Sequence, residues 1–299
     1  MKFGIIEIGS TNTKAYIYDN EELKNLGKTY IAFKSNFNIN NKHLLPSDVE
    51  KLDNLIEDLK KDVDKIYAYG TSIFRKLEAD ELDEFTKRMK DKHDIDFKVV
   101  TADEESQYTV DGVIANIDYY EKMAVVIGGG GSTEIAIIEN KKVIKKINCD
   151  FGAIDITDNF PDLKEDITET SFDEMIDYTL NLIDDIDESV EILVLAGGDY
   201  IYFYETVGYE MLPNNIYEDK NQPYIIPFDK ANEYDHDILK KSLNAIKEKC
   251  PDNESWWDGA RGMRFCMNAV ARKVDAKYLV PTRINMLIGI ANEIKNSLK

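Results

Sequence analysis

Two short runs of glycine and hydroxyl residues carry the chemistry most legible in this sequence. They are Gly9-Ser10-Thr11-Asn12 and Gly128-Gly129-Gly130-Gly131-Ser132-Thr133. Glycine lets the main chain turn tightly and approach an anion closely. Successive backbone N–H groups then converge on phosphate oxygens, and Ser and Thr hydroxyls add donors. One such turn alone reads as an ordinary hairpin; two at matching places in a repeated order of elements favour phosphate binding. Residues 13–18 and 134–138 follow with strand-like patterning, so each turn closes a hairpin. A Walker loop or a dinucleotide fingerprint would instead open a helix. Gly27-Lys28-Thr29 lacks the earlier Walker glycine, whose position holds Glu22, and Gly128-x-Gly130-x-x-Thr133 fails the GxGxxG spacing.

Two further groups could act on a bound phosphate. Thr101 and Glu104 stand at capping-box spacing, which gives Glu104 a structural task and leaves Glu105 without one. A carboxylate in a first helical turn can accept a proton from an attacking water; it can equally serve the helix dipole. Arg75 follows the strand end Tyr69-Gly70-Thr71-Ser72, where its guanidinium could hold a phosphate in bidentate fashion. A surface arginine is the plain alternative. His43, His93 and His236 read as solvated, and no Ser/His/Asp or metal-ligand spacing includes them. Trp256-Trp257 reads as packing. Cys149, Cys250 and Cys266 form no CxxC pair, which argues against a zinc knuckle or a redox motif.

The 299 residues suit two domains. Hydrophobic residues at 43% and charged residues at 31% describe a globular chain. The formal charge of -20 argues against a general binder of nucleic acid or anionic membrane. A polyanionic substrate would therefore need a local cation, either placed Arg or Lys or a divalent metal. The N-terminal apolar run meets Glu7 at once, no run is long enough to cross a bilayer, and the sparse cysteines fit a reducing compartment. The expected location is the cytoplasm, with no nucleic-acid or membrane partner.

The elements that must position these residues come in two similar series. Strands are expected at 3–8, 14–18, within 28–33, at 66–69 and at 97–100, with a helix opened by Ser47 and Glu50 and another at 80–92. The second series has strands at 123–127, 134–138, 143–147, 192–196 and 278–280. Its helices are expected at 171–186, 229–249 and 255–273, before a final helix to about 297. Residues 213–227 read as an irregular insertion. The expectation is an α/β fold of two domains with duplicated topology, 1–120 and 121–299, the boundary falling at 118–122. The two turns would oppose each other across a cleft, at the carboxyl ends of the strands.

Taken together these segments resemble the exopolyphosphatase/guanosine pentaphosphate phosphatase (Ppx/GppA) family of the actin-like superfamily. Glu7-Ile8-Gly9-Ser10-Thr11-Asn12 resembles its D-x-G-S-N-S motif, and Gly70 to Arg75 its A/G-T-x-x-x-R segment. Thr101 to Gln107 is similar to S-G-x-E-E-A-R, with Glu105 at the catalytic glutamate. Gly129-Gly130-Gly131-Ser132-Thr133-Glu134 matches the second phosphate motif, D-x-G-G-G-S-T-E. Gly152 and Gly197-Gly198 fall where the family has later glycines. The resemblance implies two actin-like (ribonuclease H-like) domains, and a hydrolase releasing terminal phosphate from inorganic polyphosphate or guanosine pentaphosphate. It also implies Glu105 and Arg75 as catalytic, Gly9 to Asn12 and Gly129 to Thr133 as phosphate clamps, Mg²⁺ placed by Glu7 and Glu134, and a homodimer. Four positions depart from the pattern: Glu7 and Ile127 replace aspartates, Gln107 an arginine and Asp199 a threonine. An isoleucine offers no oxygen to a hard cation. A catalytically weakened nucleotide- or polyphosphate-binding regulator is thus the alternative, and an ATP-dependent kinase a third. Ser10 to Lys14 also resembles the first motif of ATP-using acyl-CoA dehydratase activators, whose cluster cysteines have no counterpart here.

Overall fold

The computed structural model describes residues 2–10, 12–20, 22–216, 224–249 and 256–298. The chain divides into two compact units, Met1–Tyr108 with Met286–Lys299, and Thr109–Asn285. The first sheet contains β1 (Phe3–Ile8), β2 (Asn12–Asp19), β3 (Glu22–Tyr30), β4 (Lys65–Gly70) and β5 (Phe97–Val99), in the order β3-β2-β1-β4-β5. Helices α1 (Phe33–Ile39), α2 (Pro46–Lys60), α3 (Ala79–His93) and α4 (Ala102–Asn116) belong to this series, the unit division falling inside α4. The second unit contains β6 (Met123–Gly128), β7 (Thr133–Glu139), β8 (Lys142–Cys149), β9 (Ile192–Ala196), β10 (Leu212–Pro213), β11 (Tyr224–Pro227) and β12 (Tyr278–Pro281). Its helices are α5 (Ala153–Asn159), α6 (Phe172–Leu180), α7 (Asp199–Thr206), α8 (Phe228–Ile238), α9 (Leu243–Lys247) and α10 (Trp257–Lys273). Its sheet order is β10-β11-β12-β9-β6-β7-β8. The run β8-β7-β6-β9-β12 repeats β3-β2-β1-β4-β5 strand for strand, with the same antiparallel hairpins and parallel crossovers. This is the duplicated α/β topology expected of actin-like halves.

All six residues of β1 are buried because both of its faces are covered. On one face Ile6 and Ile8 pack with Leu52 and Ile56 of α2 and with Phe74, Phe85 and Phe97. On the other, Phe3 and Ile5 meet Leu287, Ile290 and Ile294 of α11 (Met286–Ser297). That second face is why the last helix joins the first unit. The sequence pattern predicts a second domain over 121–299. The contacts instead divide the chain after Tyr108 and return 286–299 to the first sheet. No local pattern signals this, because the apolar stripe of α11 does not name its partner.

Other expectations shift for local reasons. The expected Ser47 cap is absent: α2 begins at Pro46 after Leu45, without a side-chain cap. Proline at the first helical position needs no N–H partner and presets φ. β3 begins at Glu22, where pairing with β2 starts, and ends at Tyr30; Phe33 already opens α1. The helix expected at 171–186 ends at Leu180, where the Asn181 side chain donates to the Asp177 carbonyl at 2.9 Å. The helix expected at 229–249 is broken, and Ser242 caps a second piece by accepting from the Ala245 N–H. The flanks of 213–227 supply β10 and β11, while 217–223 lie outside the described residues. His93 is buried rather than solvated, held by Asp53 at 2.7 Å and Glu57 at 2.8 Å. His236 lies against the Phe172 ring, with centroids 3.8 Å apart. Trp257 is buried in the second core, as expected of packing.

Gly289 of α11 lies against the Tyr108 backbone of α4, where a Cβ would lie 1.7 Å from the Tyr108 carbonyl oxygen. In an open helix Gly→Ala is worth up to about 1 kcal/mol of stability. Here the clash reverses the sign. Gly289→Ala is expected to cost about 2 kcal/mol or more, read as a lower urea midpoint. An unchanged midpoint would contradict this backbone-to-backbone approach.

Candidate phosphate-binding and catalytic site

The two glycine turns share one hydrogen-bonding scheme. In the first, Ile8 pairs with Thr13 and the Gly9 N–H donates to the Asn12 carbonyl at 3.0 Å. In the second, Gly128 pairs with Thr133 and the Gly129 N–H donates to the Ser132 carbonyl at 2.9 Å. Each closes the same four-residue turn. Gly9, Ser10 and Asn12 occupy the first as expected, while Thr11 lies outside the described residues. Gly129, Gly130, Gly131 and Ser132 occupy the second, and Thr133 opens β7 beside it.

Neighbouring backbone braces each turn. The Ser10 carbonyl accepts from the Lys34 N–H at 2.8 Å, and the Ile8 carbonyl from the Thr71 N–H at 3.1 Å. α1, which sequence reasoning missed, therefore steadies the first turn. In the second unit the Ala153 and Ile154 N–H groups donate to the Gly129 and Gly130 carbonyls at 3.0 and 2.8 Å. The Thr133 hydroxyl donates to the Phe151 carbonyl at 2.9 Å. Gly152 lies flat against this turn: a Cβ there would be 2.4 Å from the Gly129 oxygen and 2.7 Å from the Gly131 nitrogen. Behind it, a Cβ on Gly262 of α10 would meet the Ala153 oxygen at 2.4 Å. A cavity of about 470 Å³ opens beside the turn, lined by Gly128 to Gly130, Ile154, Trp256 and Met263.

The charged groups of the first unit gather where β1, β4 and β5 end. Glu7 is buried at the end of β1, and its carboxylate oxygens accept from Lys14 Nζ at 3.3 and 3.2 Å. Lys14 faces it because it is the direct cross-strand partner on β2. β4 leads into a 3₁₀ turn, Ser72–Lys76, entered through Ser72 at φ +35°, a value costly for a serine. The turn delivers Arg75, whose Nη1 donates to the Val100 carbonyl at 2.9 Å and to Glu105 Oε2 at 3.1 Å. Thr101 and Glu104 form the expected capping box: the Glu104 N–H donates to the Thr101 hydroxyl at 3.1 Å, and the Thr101 N–H to Glu104 Oε2 at 2.9 Å. Burial pushes the Glu105 carboxyl above the ordinary glutamate range, and the Glu7 charge adds to this. Arg75 and Lys14 oppose the rise.

Glu105, Arg75 and Glu7 are thus brought together with Lys14, whose pairing with Glu7 is a functional contact that sequence reasoning missed. A hairpin closed by four residues puts position 14 opposite position 7, so the pairing was open to discovery. In the second hairpin the equivalent partners are Ile127 and Glu134. A closed, all-protein metal cage does not fit these donors. Among the described residues no group of three or more His, Cys, Asp or Glu could hold a metal, and the Glu7 carboxylate already faces an ammonium. Glu134 stands opposite an isoleucine.

Comparison with known proteins bears on this arrangement. The model of the Ppx/GppA phosphatase family matches residues 30–248. The chain belongs to the Ppx/GppA phosphatase family. A Ppx/GppA phosphatase from Aquifex aeolicus superposes with a TM-score of 0.78, covering 98% of this chain and 99% of that one at 16% identity. An exopolyphosphatase from Cytophaga hutchinsonii gives 0.74, covering 100% and 99% at 15% identity. At such identities these two establish the family's fold for this chain. A bifunctional 3-dehydroquinate synthase/phosphatase from Fusobacterium nucleatum is 27% identical over 172 residues, 52% of this chain. The match spans about a quarter of that longer protein, 26% of its length. No helix among the described residues is long and apolar enough to cross a membrane.

The bracing of the second turn generates a prediction for a family member built this way. The backbone of Gly152 is extended, at φ -148°, so any effect of a side chain there is steric. Gly152→Ala is expected to displace the turn and weaken binding of tripolyphosphate about tenfold or more, measured by calorimetry. Unaltered affinity would remove this turn from the binding site.

Proposed function

We propose that the chain is a phosphoanhydride hydrolase that releases terminal phosphate from inorganic polyphosphate or guanosine pentaphosphate. Family membership supports the reaction class, and the Glu105–Arg75 contact carries the assignment of roles. Backbone N–H groups of the two glycine turns bind phosphate oxygens. Arg75, held by the Val100 carbonyl, offsets charge on the terminal phosphoryl group. Glu105 takes a proton from water as the water oxygen bonds to the terminal phosphorus. The bridging P–O bond breaks, and its electrons leave on the shortened chain. A raised carboxyl pKa suits a base working near neutral pH. Mg²⁺, where required, is proposed to arrive as the counter-ion of the substrate.

Ile127 motivates a second reading, in which the protein binds these ligands without turnover as a sensor. Phosphate release from long-chain polyphosphate, guanosine pentaphosphate and ATP separates the two. The hydrolase reading expects release from one of the first two, falling roughly a hundredfold or more in Glu105→Gln. Tight binding without release by either protein would establish the sensor. The acid limb of kcat/KM is a further test. A base must be deprotonated, so activity falls as pH drops through its pKa, which here lies above the ordinary glutamate range. The limb is therefore expected at a higher pH than an ordinary glutamate would give. Arg75→Met, which removes an opposing positive charge, is expected to move it higher. A limb that stays in place would detach Glu105 from Arg75.

A further inference from the structure

The two glycine turns are held by equivalent residues at one constant offset in sequence, and the equivalence fails at one step. Gly9 corresponds to Gly129, Ser10 to Gly130 and Thr13 to Thr133. The chain returning to each turn corresponds likewise, Ile31 to Lys34 with Phe151 to Ile154. One brace is common to both turns. The Lys34 N–H donates to the Ser10 carbonyl at 2.8 Å, and the Ile154 N–H to the Gly130 carbonyl at 2.8 Å. The second turn has two more. The Ala153 N–H donates to the Gly129 carbonyl at 3.0 Å, and the Thr133 hydroxyl to the Phe151 carbonyl at 2.9 Å. In the first turn both counterparts are diverted. The Phe33 N–H turns back on the Ile31 carbonyl at 2.9 Å. The Thr13 hydroxyl is buried with no hydrogen-bond partner among the described residues. The residue between explains the difference. Gly152 is extended and lies flat on its turn, where a Cβ would be 2.4 Å from the Gly129 oxygen. Ala32 stands at the equivalent place and carries that Cβ. Its backbone, at φ -79° and ψ 44°, lies near the inverse γ-turn that the Phe33–Ile31 bond closes. A methyl group thus holds the chain off the first turn and parts a buried hydroxyl from its acceptor.

We propose that Ala32 is a positioning residue that makes the first turn the adjustable one of the pair, by keeping its latch half-made. The Lys34–Ser10 brace holds the turn in register. In the fully latched arrangement the Thr13 hydroxyl donates to the Ile31 carbonyl and the Phe33 N–H to the Gly9 carbonyl, as their counterparts do in the second turn. Pairing a buried hydroxyl favours that arrangement, and crowding by the Ala32 methyl opposes it. The balance is close, so phosphate oxygens drawing on the N–H groups of the first turn shift it. The second turn has no such balance, because Gly152 leaves its latch complete.

This inference rests on the phosphohydrolase reading for its ligand, so it is tested on the full chain first without one. Amide exchange is followed by NMR at Phe33 and Lys34, and at Ala153 and Ile154. Ala32→Gly is expected to complete the latch and slow exchange at Phe33 about tenfold. Ala32 is also the N-cap of α1, where glycine is preferred to alanine, but that gain does not depend on Thr13. Adding Thr13→Val is therefore the deciding step, and it is expected to remove most of the slowing. No slowing, or slowing that survives Thr13→Val, would overturn the inference. The threonines alone keep it testable if Ala32→Gly does not fold. Thr133→Val deletes a made hydrogen bond and is expected to lower the urea midpoint. Thr13→Val deletes an unpaired hydroxyl and is expected to leave the midpoint unchanged or raise it. Equal losses would overturn the inference. Tripolyphosphate with excess Mg²⁺ is then added to wild type. Exchange is expected to slow by a larger factor at Phe33 and Lys34 than at Ala153 and Ile154. Calorimetric binding with the reverse pattern, or with equal slowing, would overturn the adjustable role. A wild type that does not bind tripolyphosphate would defeat the phosphohydrolase reading, while the Ala32→Gly exchange still decides the latch.

Discussion

The in-register closure of β1 on β2 is the constraint on which the first unit's chemistry depends. Six consecutive pairs, from Phe3 with Tyr18 to Ile8 with Thr13, leave four residues to turn the chain. That register aims the Gly9 N–H at the Asn12 carbonyl and sets Lys14 opposite Glu7. A slip of one residue would send both side chains to the opposite face, toward the core of Ile6, Ile8 and Ile56. Burial of Phe3 and Ile5 under α11 guards against such a slip. The apolar packing far from the turn thereby fixes the charges beside it.

The charged cluster also resolves a conflict posed by composition. A chain with formal charge -20 repels polyanions at long range. Under the proposed function, affinity must come from short-range groups whose positive charge is already oriented. The Val100 carbonyl and Glu105 hold Arg75, and Glu7 holds Lys14. Each cation is thus restrained before a ligand arrives, which lowers the ordering cost of binding. Burial raises the proton affinity of Glu105, and the nearby Glu7 charge adds to the rise.

Much of this was legible in the sequence, for physical reasons that differ by residue. The strands at 3–8, 123–127 and 192–196 announce themselves because short apolar runs bounded by turn residues have few other readings. The Thr101–Glu104 capping box is a purely local interaction and forms as expected. The chain's membership in the family follows from motif order, which survives at low identity. What escaped is non-local. His93 gives no local sign that Asp53, 40 residues away, will bury it. The return of α11 to the first sheet depends on the match between two apolar surfaces. The break at 239–242 follows from the Ser242 cap rather than from any change in hydrophobic period.

The contrast between the hairpins shows which parts of such a site can diverge. The turns would bind through backbone N–H groups under the proposed function, so their geometry depends on close packing rather than on side-chain identity. Gly152 and Gly262 maintain that packing in the second unit, since a Cβ on either would meet backbone within 2.4 Å. The side chains at 7 and 14, and at 127 and 134, stand on the same frame but are free to change. The frame tolerates an isoleucine at 127 because that residue pairs between Glu134 and Ala196 without touching the turn's Gly129–Ser132 hydrogen bond. The backbone geometry of the turns and the placement of charge by the side chains are therefore separable. An isoleucine at 127 offers no oxygen to a hard cation, while the backbone hydrogen bond that closes the adjacent turn is intact.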